Sequence, residues 1–421
     1  MTEHVLVVGS GRDLPGRVRA TAPGTRTSVI CRLDYLSRLR ERAEHSRIIA
    51  VRHDASDAEW VALAAAAHAV DPFTRIATFG ERDQDRCAEI GQALGLRTHT
   101  PRTVALVHDK TAMRARLRAT GVDPTPSTAV SGLPALRAFV QEHGLPCVLK
   151  PARGSASVGV AVIRTGSEEE LAAAYHRAGG HFDGVSGTEV LVEGFHEGPQ
   201  FSVEAFSEGG EHQVVALTRK YSDPVHFVEL GHVVPAELSP ALQDSCRHLV
   251  EQLLSALGVE SGATHTELVL TAVGPRVIET HLRMGGDEIP TLVLTATGID
   301  LSEYVVRQTV GESVLPDLRK ALSAAPVPRR SAAVWFAAPP VSGVLTAVEG
   351  ADPARLTPDT DEVRLLAEPG AVCAGLESSD SRLALARTHG PNAEEALATA
   401  RTALAGLVFH IRTGPAKEEA V

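Results

Sequence analysis

Val277–Asp287 reads VIETHLRMGGD, and its alternation decides how the rest of the chain is placed. Side chains repeat with period 2 along a strand, so Glu279, His281 and Arg283 share one face. Upstream, Thr264–Leu270 (THTELVL) sets His265 and Glu267 on one face in the same way. Two strands, each with a carboxylate beside a histidine, form a cradle for a hard cation. Two carboxylates that hold Mg²⁺ between nucleotide phosphates, with an arginine for the transferred group, make ATP chemistry the expectation.

Composition narrows the setting. At roughly 100–200 residues per domain, 421 residues predict two to four domains, each with its own core. A 43% hydrophobic share, 22% charged residues and a net charge of -11 describe a folded, acidic chain. That balance argues against nucleic-acid or membrane-surface binding as the main activity. Cys31, Cys87, Cys147, Cys246 and Cys373 are odd in number and scattered without a CxxC pair, so they read as buried thiols in a reducing compartment. No run of about 18 apolar residues and no basic segment leading into an apolar stretch are found, so the expectation is a cytoplasmic protein with no membrane span.

Only five of the 41 basic residues are lysines: Lys110, Lys150, Lys220, Lys320 and Lys417. Where a generic positive charge sufficed, the chain carries arginine, which makes lysines in motif-like surroundings candidates for compact point charges. Lys417, in the polar tail, and Lys320 read as surface residues.

In chain order, Val5–Val8 runs into Gly9-Ser10-Gly11, a strand and tight turn that open an α/β unit over residues 1–103. That glycine pair lacks a full GxGxxG and is weak evidence for a nucleotide site. Strands are expected at Ser28–Arg32, Arg47–Val51 and Arg75–Phe79, with helices at Asp57–Ala69 and Asp83–Leu94 between them. The loop Gly80-Glu81-Arg82-Asp83 follows a strand's C-terminal end, where ligands bind, or is a solvated helix start. His108–Gly121 reads as one basic helix. Strand Cys147–Lys150 leads into Pro151–Val160, whose small residues Gly154, Ser155, Ala156 and Ser157 let backbone N–H groups approach phosphates beside Lys150. A glycine-rich β-hairpin fits the same residues. After the strand Glu189–Glu193, the break Gly194-Phe195-His196-Glu197-Gly198 leaves backbone groups to read an adenine edge, with Gln200 near a ribose hydroxyl. The loop Lys220–His232 offers His226 and His232 as substrate contacts or as ordinary loop residues. Asp287 caps the helix from Ile289, orients an incoming amino group, or pairs with Arg283. Asp300 and Glu303 start a further helix in capping-box fashion. Pro316–Arg330 reads as a loose link, and 331–413 as a small α+β unit before a disordered tail, 414–421.

The order of these pieces, Lys110, Lys150-Pro151 with its small-residue loop, Val192-Glu193-Gly194-Phe195, Gly198-Pro199-Gln200, His265-x-Glu267 and Glu279-Thr-His-x-Arg283, resembles the ATP-grasp superfamily. GGD at 285–287 together with HFVELGHVVP at 226–235 is similar to its branch of L-amino-acid ligases and carnosine-synthase-like enzymes. The resemblance covers residues 1 to about 413, most strongly 105–311. It implies an α/β and α+β architecture: an N-terminal open α/β domain (1–103), an ATP-grasp region (104–311) whose nucleotide-clamping part spans about 125–200, and a C-terminal α+β domain (312–413). It also implies that Lys110 and Lys150 hold ATP phosphates under the 154–159 loop. Glu193 to Phe195 form the adenine link, Gln200 is at the ribose, Glu267 and Glu279 are ligands of one or two Mg²⁺ (or Mn²⁺), and Arg283 steadies the acyl phosphate. His265, His281 and Asp287 fall on the substrate side. One departure is His281, where the family pattern has asparagine; imidazole is a poorer partner for hard Mg²⁺, so His281 is expected to meet phosphate or substrate instead.

The implied activity is ATP-dependent joining of a small-molecule carboxylate, such as an amino acid, to an amine through an acyl phosphate, with release of ADP and phosphate. A homodimer is a further expectation from the resemblance. Alternatives are another ATP-grasp reaction, of carboxylation or formyl-transfer type, and a nucleotide-binding regulatory protein without turnover.

Overall fold

The computed structural model describes residues 3–154, 158–179, 189–324, 330–350 and 357–413. Ser155, Ala156, Ser157 and the tail 414–421 lie outside the described residues.

The N-terminal strands β1 (His4–Val8), β2 (Arg26–Arg32), β3 (Arg47–Val51) and β4 (Arg75–Ala77) form a parallel sheet in the order β3-β2-β1-β4. β1 shows why its sequence is a continuous apolar run: Leu6 and Val8 enter one core, and Val5 and Val7 enter another on the opposite face. The next unit, β5 (Ser127–Val130), β6 (Cys147–Pro151), β7 (Ala161–Ile163) and β8 (Val190–Gly194), is an antiparallel sheet ordered β5-β8-β6-β7. Leu136 and Phe139, with Leu171 and Ala174, pack the helices Leu133–His143 and Glu168–Ala178 onto it.

β9 (Gln200–Glu208), β10 (Glu211–Ser222), β11 (Glu229–Val234), β12 (Ser261–Thr271) and β13 (Gly274–His281) build most of the central sheet. The C-terminal segment adds β14 (Ser331–Ala337), β15 (Gly343–Glu349), β16 (Thr360–Leu365), β17 (Val372–Cys373), β18 (Ala384–Gly390) and β19 (Val408–Arg412). The central sheet runs β13-β12-β9-β10-β11-β14-β18-β16, all antiparallel, and β17-β15-β19 form a separate small sheet. Three C-terminal strands therefore extend the sheet that carries the two carboxylate strands. The helix Pro240–Leu257 covers one face through Leu249, Leu253 and Leu257; Leu292, Val293 and Leu301 pack into a second large core.

Several local expectations are corrected. The basic helix is two: one ends at His108, and the next begins at Lys110 with the Asp109 side chain accepting from the Ala112 N–H (3.0 Å). In place of a loose link, Leu315–Ala324 is a helix, because Leu315 and Leu318 bury in the second core and Pro316 sits in the first turn, where its missing N–H is tolerated. Lys220–His232 is largely strand: β10 runs to Ser222 and β11 resumes at Glu229, so Lys220 and His232 face each other across a ladder. All five cysteines are buried and free. Among the described residues no single helix is long and apolar enough to cross a membrane.

Candidate active site

β12 and β13 lie side by side with His265 opposite His281 and Glu267 opposite Glu279, which turns two period-2 patterns into one four-residue face. The face opens into a cavity of about 340 Å³, also lined by Lys110, Lys150, Gly154, Glu193, Gly194, Phe195, Gln200, Lys220, His232, Arg283 and Asp287. The cavity thus gathers residues up to 298 positions apart in sequence, from Glu81 to Ser379.

Every acidic group of this face is matched by a cation from another element. Lys110 Nζ lies 3.1 Å from Glu279 Oε2 and donates to the Gly154 carbonyl (2.7 Å). Lys220 Nζ bridges Glu267 Oε2 (2.6 Å) and Glu229 Oε1 (3.2 Å). Lys150 Nζ meets Glu193 Oε1 at 2.5 Å, while Arg114 Nε donates to the other oxygen at 2.5 Å. Burial opposes ionisation of Glu279 and Glu267, but Lys110 and Lys220 respectively, together with nearby histidines, hold both carboxyls well below the ordinary range. Burial likewise opposes the Lys220 ammonium, yet its two carboxylates raise its pKa. Lys150 is the exception: burial, with Arg114 and Lys110 close by, pulls it down despite Glu193.

The histidines are fixed by carboxylates. His265 Nδ1 lies 2.7 Å from the buried Glu204, and its Nε2 lies 3.4 Å from Glu267; burial works against its charge, but the Glu204 carboxylate raises it to about 9. Gly285 is tight for this reason: a Cβ there would sit 3.0 Å from both Glu204 Oε2 and His265 Nδ1. His281 spans Glu279 (3.4 Å) and Glu81 (3.0 Å), and Arg283 Nε donates to the other Glu81 oxygen (2.8 Å).

Other placements depart from expectation. The Glu193 side chain, at the end of β8, is the buried counter-ion of Lys150 and Arg114, because a carboxylate this deep must be paired. The N–H groups of Gly194 and Phe195 are taken by the carbonyls of Pro126 (2.9 Å) and Pro146 (3.1 Å), so their N–H groups are not free to read a ligand. His226 stays off the cavity wall and pairs with Asp223 (3.0 Å) in its own turn. His232 does line the cavity, 3.4 Å from Asp287. Asp287 neither caps the helix nor pairs with Arg283: Arg382 grips it with two donors, at 2.7 and 2.8 Å. Asp287 and Glu288 have φ of 50° and 66°, unfavourable for side-chain-bearing residues, and arginines hold both carboxylates, Arg382 on the first and Arg364 and Arg387 on the second.

Residues that sequence reasoning left without a role are Glu81, Arg114, Glu204, Lys220, Glu229 and Arg382. Two carried a signal: Lys220 as one of the scarce lysines, and Glu81 through its loop at the C-terminal end of a strand. A divalent cation fits this site: ligand atoms of Glu267, Glu279 and His281 all lie within 4.8 Å of one another, and the two carboxylates are the hard donors Mg²⁺ takes. Glu81 holds His281 by Nδ1 and leaves Nε2 beside Glu279, at 3.4 Å, while the preference of Mg²⁺ for oxygen donors makes the two carboxylates the leading ligand pair.

The model of the ATP-grasp domain matches residues 143–291, and that of the L-amino acid ligase C-terminal domain 2 matches residues 335–412. A protein of Sinorhizobium fredii is 33% identical over 64% of this chain and 54% of its own length. The alanine–anticapsin ligase of Bacillus subtilis is 27% identical over 66% of this chain and 63% of the ligase. The chain thus aligns with between about half and two thirds of these relatives' lengths. The crystal structure of an L-amino acid ligase from Bacillus licheniformis superposes with a TM-score of 0.80 at 20% identity, covering 98% of this chain and 99% of that one, a likeness of fold. An ATP-grasp domain implies, in general, a ligase-type reaction that uses ATP with Mg²⁺. The chain therefore carries an ATP-grasp domain at residues 143–291, is similar at 335–412 to the C-terminal domain 2 of L-amino acid ligases, and shares the fold of the Bacillus licheniformis ligase.

Proposed function

We propose that this protein is an ATP-dependent carboxylate–amine ligase that joins an amino acid, or an amino-acid-like carboxylate, to an amine. The observation that carries the reading is the pairing of Glu267 with Glu279 across β12 and β13, in one cavity with Lys110, Lys150, Lys220 and Arg283. A free carboxylate is a poor acyl donor because oxide leaves badly, so activation must come first. The carboxylate oxygen attacks the γ-phosphorus, the bond to the β–γ bridging oxygen breaks, and ADP leaves. The amine then attacks the acyl carbon, the C–O bond to phosphate breaks, the nitrogen loses its proton, and an amide and phosphate result.

Glu267 and Glu279 would hold Mg²⁺, which supplies charge neutralisation of phosphate oxygens in the transfer. Lys110 and Lys150 bind phosphate oxygens, exchanging their carboxylate partners for the ligand. Lys220, lying between Glu267 and Glu229, neutralises charge beside Glu267 as Lys110 does beside Glu279. Arg283 donates from its guanidinium to the oxygens on which charge develops.

The test is phosphate release from Mg-ATP across a matrix of amino acids and amines, with mass detection of products. Release that needs both a carboxylate and an amine, with a new amide mass, supports the reading. Nucleotide binding without any coupled product across a broad panel counts against it.

A further inference from the structure

One turn of the N-terminal domain grips the end of β13. Glu81 follows β4, and its carboxylate accepts from His281 Nδ1 at 3.0 Å through one oxygen and from Arg283 Nε at 2.8 Å through the other. The buried Gln84, three residues on, donates from Nε2 to the Leu282 carbonyl at 2.9 Å. Three consecutive residues, His281, Leu282 and Arg283, are thereby held from about 200 positions away in sequence. The same turn reaches the other side of the cavity: Gln84 Oε1 lies 2.9 Å from His108 Nε2, and Asp85 lies 3.0 Å from His108 Nδ1, two residues before Lys110.

We propose that Glu81 is a positioning residue for Arg283. A guanidinium on a flexible stem has many orientations, and one carboxylate on Nε together with the Met284 carbonyl on Nη1 (2.9 Å) selects one of them. That leaves Nη2 unclaimed among the described residues, as the donor for phosphoryl or acyl oxygens. Glu81 lines the same cavity, but His281 and Arg283 take one oxygen each, so it acts through Arg283. Misplacing a reacting or stabilising group by about 1 Å is enough to lower a rate about 100-fold. The inference rests on the ligase reading for its effect on turnover, and on geometry alone for its effect on phosphate.

Two measurements test it. In the full-length protein, Glu81→Ala is expected to lower kcat about 10- to 100-fold and to leave KM for ATP within about twofold; Glu81→Gln, which keeps one acceptor, is expected to recover part of the loss. In an Arg283→Lys background, which has no Nε, the same removal is expected to have little further effect, so the two penalties do not multiply. Independently of turnover, inorganic phosphate binding to the Mg-ADP complex is expected to weaken at least about fivefold in Glu81→Ala, while Mg-ADP affinity and the melting midpoint stay near those of the unaltered protein. Unchanged phosphate affinity, or penalties that multiply fully with Arg283→Lys, overturns the proposal. Absence of any amide product from the unaltered protein sinks the ligase reading instead, and the phosphate measurement still decides the role of Glu81.

Discussion

Arg114→Met tests whether the buried charges beneath the nucleotide cradle carry the stability their geometry implies. Arg114 is 2% exposed. Its Nε reaches Glu193 at 2.5 Å, its Nη2 reaches the Val277 carbonyl at 2.5 Å, and its Nη1 lies 3.5 Å from Asp123. Removing one partner of a buried pair destabilises by about 3–5 kcal/mol, because the other charge is left in a poorly polarisable interior. For Arg114 the lower end applies. Glu193 keeps Lys150, and Asp123 keeps the Val277 N–H (2.7 Å) and the Thr125 N–H and hydroxyl (2.9 and 2.5 Å). About 3 kcal/mol corresponds to a fall of about 6–12 °C in the midpoint of a domain of roughly 150–250 residues. Thermal unfolding reads the shift, and hydrogen exchange of amides in β8 and β13 localises it. Arg114→Met combined with Asp123→Asn removes both charges of that pair while leaving Lys150 with Glu193, and is expected to recover part of the loss. A single variant melting within about 2 °C of the unaltered protein, or a double variant no better than the single, refutes the reasoning.

Lys220→Met is expected to lower turnover at least about 100-fold, and its melting point is expected to gain more from Mg²⁺ than the parent's does, since Glu267 loses its 2.6 Å counter-ion. Glu279→Gln is expected to lower turnover by a similar factor and to raise the Mg²⁺ concentration needed for half-maximal rate; kinetics over a Mg²⁺ series reads both. A pH-dependent term comes from His99, held down to about 4 by burial, with its Nδ1 buried and unpartnered among the described residues. Unfolded, it titrates near 6.5, so between about 6.5 and 4 the unfolded chain binds the extra proton and stability falls as pH falls, by up to about 1.4 kcal/mol per pH unit. His99→Gln is expected to flatten this slope in denaturant titrations at pH 7, 6 and 5, and an identical slope in both proteins removes His99 as its source.

The parts of the site that were legible in the sequence are those with a local period. Alternation alone puts Glu267 with His265, and Glu279 with His281 and Arg283, and the ladder then sets the pairs opposite each other. Scarcity of lysine pointed to Lys110, Lys150 and Lys220. What could not be read is which charge meets which, because a partner's identity depends on tertiary approach. Glu81 is 200 positions from His281, Arg114 is 79 from Glu193, and Arg382 is 95 from Asp287, with nothing in their neighbourhoods to name these partners. Glu193 shows the consequence: its place at the end of β8 was readable, but not that Lys150 and Arg114 occupy both its oxygens. The helix Leu315–Ala324 was missed for a different reason, since Pro316 and polar neighbours hide a pair of leucines that only the second core makes decisive.

The central claim is that a substrate carboxylate is activated by phosphoryl transfer before the amine attacks. With a productive pair in hand, the carboxylate substrate is labelled in both oxygens with oxygen-18, and the phosphate released during ligation is analysed by mass. Transfer of one labelled oxygen to each phosphate, with the other retained in the amide, is the predicted result. Unlabelled phosphate, with amide still formed, contradicts the acyl-phosphate route and the phosphate-binding roles of Lys110, Lys150 and Arg283.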